Sequence, residues 1–174
     1  MKKFLALLLC GVIMFSLCAC NIGKSKKTAT PDLNKLFSCS TDISYGDFKS
    51  TATIKRLGNG LWDVEFSSPS TLAGVKLSYN GEDIAASYKG LTFSVPKDAA
   101  PVKGVLSMIF NAIDKSADDV NMPFKEKEGM KLFSGESEQG DFTISVDKAT
   151  GNLVAFEIPN QKLKVKFADY AVIQ

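Results

Sequence analysis

The sequence predicts an α+β protein that is mostly antiparallel β: a curled, half-open barrel of about eleven strands with one amphipathic helix as its lid. Three observations carry that prediction. From Leu33 onward, apolar residues recur with a period of two in short segments bounded by Gly, Asn, Asp and Pro, the pattern of half-buried antiparallel strands. A single stretch, Val102 to Ile113, changes to helical spacing. No crossover helices separate the other segments, which excludes a parallel sheet, and an antiparallel sheet of that many strands has to curl or split in two.

Phe37 to Tyr45 and Phe48 to Leu57 begin a first meander, joined at Gly46-Asp47. Gly58-Asn59-Gly60 turns into a strand in which Trp62, Val64 and Phe66 share one face and Asp63 and Glu65 the other. After Pro69 the alternation resumes over Leu72 to Tyr79, with Val75, Leu77 and Tyr79 inward. Asn80-Gly81 predicts a type I′ turn, both central positions of which need positive φ. The partner strand, Asp83 to Lys89, turns Ile84, Ala86 and Tyr88 inward, and Gly90 separates it from Leu91-Thr92-Phe93-Ser94-Val95.

In the helix, Val102, Val105, Leu106, Ile109, Phe110 and Ile113 form one stripe that must be buried, with Pro101 at the start where its missing N–H does little harm. Asp114, Asp118 and Asp119 lack the ligand spacing and central glycine of an EF-hand loop and read as a solvated helix exit. Strands resume near Pro123. Met130 to Ser134 leads through a loop, Gly135 to Gly140, into a strand whose Phe142, Ile144 and Val146 face inward. Asp147 to Asn152 reads as a hairpin connection, and Val154, Phe156 and Ile158 line the return to Pro159. The last strand places Leu163, Val165 and Phe167 inside and Lys162, Lys164 and Lys166 outside, a row that on a terminal strand would protect a sheet edge.

Composition narrows the chemistry. Histidine is absent, which removes the usual general base of a Ser or Cys nucleophile and the commonest nitrogen ligand of zinc or copper, so no catalytic residue, cofactor or metal site is assigned. Lys2 and Lys3 account for the formal charge of +2, leaving the rest of the chain neutral and a poor candidate for nucleic acid.

Those two lysines precede an apolar run, Phe4 to Leu17, too short to span a bilayer comfortably. The run ends in Leu17-Cys18-Ala19-Cys20, which resembles the lipobox of bacterial lipoproteins. The resemblance implies that residues 1–19 are a signal peptide, that Cys20 carries a diacylglyceryl group, and that residues 20–31 tether a single domain, 32–174, to the extracytoplasmic face of the cell membrane. Two acyl chains anchor durably where one exchanges. With Cys10 and Cys18 removed and Cys20 modified, Cys39 has no partner for a disulfide and reads as a small buried apolar residue on the first strand.

The lipobox, the tether, Gly58-Asn59-Gly60-Leu61-Trp62-Asp63-Val64-Glu65-Phe66, Gly90-Leu91-Thr92-Phe93 and Gly151-Asn152-Leu153 through Leu163-Lys164-Val165-Lys166-Phe167 together resemble Gram-positive lipoproteins related to the LolA, LolB and LppX type of lipid-binding domain. That resemblance implies an unclosed barrel and a helical lid enclosing an apolar cavity for lipid or lipoprotein acyl chains; with only acidic and tyrosine chemistry to carry catalysis the chain is expected not to be an enzyme, and it is expected to be a monomer. Strand parity then nominates Trp62, Phe66, Tyr79, Tyr88 and Phe93 as the wall of such a cavity and Leu106, Ile109 and Phe110 as its lid. A different reading of the same chain is an envelope interaction or sensing module with a filled core, engaging a partner through a sheet edge or the Gly135 to Gly140 loop.

Overall fold

The computed structural model describes residues 33–94, 101–119, 122–137 and 139–173, so the expected signal peptide, Cys20 and the tether lie outside the described residues. Among the described residues eleven strands form one sheet: β1 (Phe37–Tyr45), β2 (Phe48–Gly58), β3 (Leu61–Ser68), β4 (Lys76–Tyr79), β5 (Ile84–Tyr88), β6 (Leu91–Ser94), β7 (Phe124–Lys127), β8 (Met130–Ser137), β9 (Gly140–Asp147), β10 (Leu153–Ile158) and β11 (Leu163–Val172). One helix, α1 (Pro101–Asp118), separates β6 from β7, and a 3-10 turn, Pro159–Gln161, precedes β11. The strand order is β6-β5-β4-β3-β2-β1-β11-β10-β9-β8-β7, antiparallel throughout, in an unclosed, curled sheet. This is the predicted half-open barrel with its helical lid.

The order follows from two meanders, each paired strand to sequential strand, zipped together where β11 returns beside β1. That return corrects the reading of the lysine row. β11 is a central strand flanked by β1 and β10, so Lys162, Lys164 and Lys166 guard no edge. Lys164 instead pairs with Glu157 on the neighbouring strand, and Lys166 lies opposite Asp42.

Two bulges change which side chains reach the core. Between Ser38 and Ser40 the register of β1 on β11 shifts by one, with Asp169 in the left-handed region at φ 52°, and Tyr170 swings inward to meet the Phe37 ring at 5.0 Å. Between Leu153 and Ala155 a second shift buries Leu153 in place of the expected Val154. Elsewhere the period of two holds: Ile54, Val64, Ile144, Phe156 and Val165 are fully buried on one face while their neighbours in sequence face outward.

Loops depart from expectation in three places. Asn80 does not adopt positive φ; Asn80 to Asp83 forms a longer loop in which Asn80 Oδ1 accepts from the backbone N–H groups of Glu82 and Asp83, so no type I′ turn forms there. That turn occurs instead at Lys89-Gly90, φ 49° and 83°. Leu72 to Val75 is a compact turn bonded to Pro69 and Phe66 rather than the start of β4. The supposed Gly135 to Gly140 loop is mostly ladder: β8 runs to Ser137 and β9 begins at Gly140.

Gly135 has a packing reason to be glycine. It lies opposite Phe142, and a Cβ at that position would sit 2.4 Å from the ring's Cζ. Gly135→Ala is therefore expected to destabilise the fold by about 1–3 kcal/mol, the usual cost of overpacking. An unchanged urea midpoint would show that the ring has room to move.

Candidate functional site

The lid is fastened by a buried ion pair. Arg56 is on the inner face of β2 and Asp114 on the inner side of α1, 1% and 6% exposed. Arg56 Nε and Nη2 donate to Asp114 Oδ1 at 3.0 and 2.9 Å. Oδ2 accepts from the Trp62 indole N–H at 2.7 Å and from the Gly60 backbone N–H at 3.0 Å. One carboxylate thus ties the helix to β2, to β3 and to the turn between them, and the solvated helix exit expected for Asp114 is not what forms. Asp118, a turn further on, accepts from Asn59 Nδ2 at 3.0 Å.

Rings close the same joint. Trp62 and Phe110 stack at 4.5 Å and 9°, Phe37 meets Trp62 edge-on at 5.9 Å, and Tyr79 leans on Phe110 at 5.8 Å. The Tyr79 hydroxyl lies 2.7 Å from Gly81 O and 2.8 Å from Asn111 Oδ1, its single proton serving one of the two. Burial is the main cause of the upward shift of its pKa. Breaking the pair is costly, because either partner left alone is an uncompensated buried charge. Asp114→Ala is expected to lose about 3–5 kcal/mol of stability in urea unfolding, whereas replacing both Arg56 and Asp114 by apolar residues loses much less. Equal losses for the single and double variants would contradict this.

Six of the eight nominated residues, Trp62, Phe66, Tyr79, Leu106, Ile109 and Phe110, are buried in the joint or beside it. The other two are elsewhere. Tyr88 and Phe93 lie with Leu91 at the end of the inner face on β5 and β6, exposed by 41%, 54% and 63%. Tyr88 stands opposite Leu91 and Ala86 opposite Phe93, so the three side chains share the face that carries buried Ile84. The Tyr88 ring fits against Gly74, where a Cβ would touch it at 3.5 Å, and Lys89 Nζ sits 5.2 Å above the ring.

A second buried polar group lies at the β1–β11 seam, where the Tyr170 hydroxyl and the Cys39 thiol are neighbours. Burial pushes Cys39 from its ordinary 9.0 up to about 12 and moves Tyr170 in the same direction. Both groups are held protonated in the fold but ionise freely when unfolded, so their contribution to stability is present below pH 9 and falls away as pH rises from 9 towards 12. Iodoacetamide at pH 8 is expected to spare Cys39 in the folded protein and to alkylate it in urea, as read by peptide mapping. Rapid labelling of the folded form would contradict the burial.

No protein-family model matches the sequence, and no curated protein matches it. Solved structures do align with it. A conserved protein from Thermus thermophilus aligns over 84% of each chain at 12% identity and a TM-score of 0.55. A chain of the complex between the CwlD amidase and the GerS lipoprotein of Clostridioides difficile aligns over 82% of this chain and 88% of its own, at 16% identity and a TM-score of 0.52. The LolA superfamily protein NE2245 from Nitrosomonas europaea aligns over 86% and 91%, at 8% identity and a TM-score of 0.39. At 12% and 16% identity, the likeness to the Thermus and Clostridioides structures is one of fold alone.

Proposed function

We propose that this protein is a membrane-tethered, non-catalytic lipoprotein that holds an apolar ligand, acyl chains of a lipid or of another lipoprotein, against the concave face of its sheet. Lipidation at Cys20 and residence on the extracytoplasmic face of the cell membrane belong to the same proposal, supported by the Leu17-Cys18-Ala19-Cys20 sequence. One observation carries the ligand reading. The inner face is apolar apart from Thr41, Ser50 and the paired Arg56, and at β5–β6 it ends in Tyr88, Leu91 and Phe93 exposed to solvent. Trp62 and Phe110 are stacked on each other at 4.5 Å and buried. The accessible members of the wall are Tyr88 and Phe93.

Covering ~200 Å² of that apolar surface at about 25 cal/mol per Å² contributes roughly 5 kcal/mol, before the costs of association are subtracted. The Tyr88 hydroxyl adds a polar handle beside the apolar ring, as suits a headgroup above a chain. Solvent extraction of the protein purified from its membrane, followed by mass spectrometry, is expected to release a stoichiometric lipid beyond the one on Cys20. Phe93→Ser is expected to weaken uptake of a fluorescent fatty-acid analogue about tenfold, in line with the roughly 1.5–3 kcal/mol of one buried aromatic side chain. An extract without lipid, together with no saturable uptake of the analogue, would remove the reading.

A further inference from the structure

The sheet has two edges among the described residues, and they differ. On β7, Lys125, Glu126 and Lys127 line the edge, with Glu126 paired to Lys148 at 2.6 Å, the usual protection against unwanted strand pairing. On β6 the edge is Leu91-Thr92-Phe93-Ser94, four exposed residues without a charge. The Lys89-Gly90 turn fixes which backbone groups face outward. Residues flanking a two-residue hairpin exchange hydrogen bonds, so Leu91 and Phe93 bond to β5 while Thr92 and Ser94 direct N–H and C=O away from the sheet.

The ground on either side of this edge is unequal. The inner side offers the apolar Leu91 and Phe93. On the outer side a groove of about 440 Å³ begins at Ser94 and runs past Ala85 to β3, and its charged lining residues are Asp63 and Asp83, with no lysine or arginine. We infer that β6 is a docking edge for an extended segment of a partner protein whose residues alternate apolar and basic, added antiparallel or parallel as the next strand. Its backbone bonds to Thr92 and Ser94, its apolar side chains cover Leu91 and Phe93, and its basic side chains lie towards the acidic groove. The inference goes beyond the ligand reading and does not need it.

The test uses the mature, full-length chain and two ten-residue peptides, one alternating Val and Lys and one alternating Val and Glu, followed by fluorescence anisotropy. The Val/Lys peptide is expected to bind at least tenfold more tightly than the Val/Glu peptide. Thr92→Pro and Ser94→Pro each remove an outward N–H without touching the ladder to β5, and each is expected to weaken binding at least tenfold while the far-UV circular dichroism spectrum is unchanged. Asp83→Lys, which leaves the strand intact, is expected to reverse the peptide preference. Binding that ignores both proline variants, no binding of either peptide, or a homodimer in sedimentation that Thr92→Pro dissolves would overturn the assignment; the last would give the edge to a second copy of the chain.

Discussion

A carboxylate with four donors holds this structure in its arrangement. Asp114 has exchanged water for Arg56, Trp62 and the Gly60 amide, and the exchange is viable only because both of its oxygens are satisfied. An apolar stripe alone lets a helix slide or rotate over a greasy sheet, since burial is not directional. A buried charge pair does not permit that, because any displacement strands a guanidinium or a carboxylate without partners. The helix is therefore fixed in place over β2 and β3, and the stack of Phe110 on Trp62 follows from that position.

Fixing the lid at one place determines what it leaves uncovered. The apolar face extends through β4 and β5 to β6, and the last three large side chains on it remain in contact with water. Such a cluster is where both an acyl chain and a partner strand would gain most by burial. The two uses draw on different groups. A lipid takes side chains of the inner face; a strand takes the outward backbone of Thr92 and Ser94. The opposite edge, with its alternating charges, offers neither.

The architecture was legible because the alternation is regular and the turns are marked. Strand parity identified Trp62, Val64, Phe66, Ile144 and Phe156 as inward without help from tertiary structure, and the helical stripe picked out Leu106, Ile109 and Phe110. A residue added to a ladder moves the residues beyond it off the read parity, and Leu153 and Tyr170 were hidden by such bulges. Strand order is not encoded in period either: Lys162 to Lys166 looks like an edge until β11 is found between β1 and β10. The Arg56–Asp114 pair did leave a trace. Arg56 keeps the parity of Ile54 and Asp114 follows Phe110 by one helical turn, so a cation and an anion both occupy core positions. Two such violations of the apolar pattern satisfy each other most simply by meeting.

The open end was not legible, because Tyr88 and Phe93 obey the same alternation as buried Ile84. What separates them is the reach of one helix, a tertiary fact. The central claim is that this helix is locked to the sheet by Asp114, and native-state hydrogen exchange tests it most directly. Amides of α1 from Val105 onward should exchange as slowly as those of β2 and β3 and in the same cooperative step, and Asp114→Asn should release the helix selectively. Helix amides that already exchange orders of magnitude faster than β2 and β3 in the unaltered protein would contradict the lock.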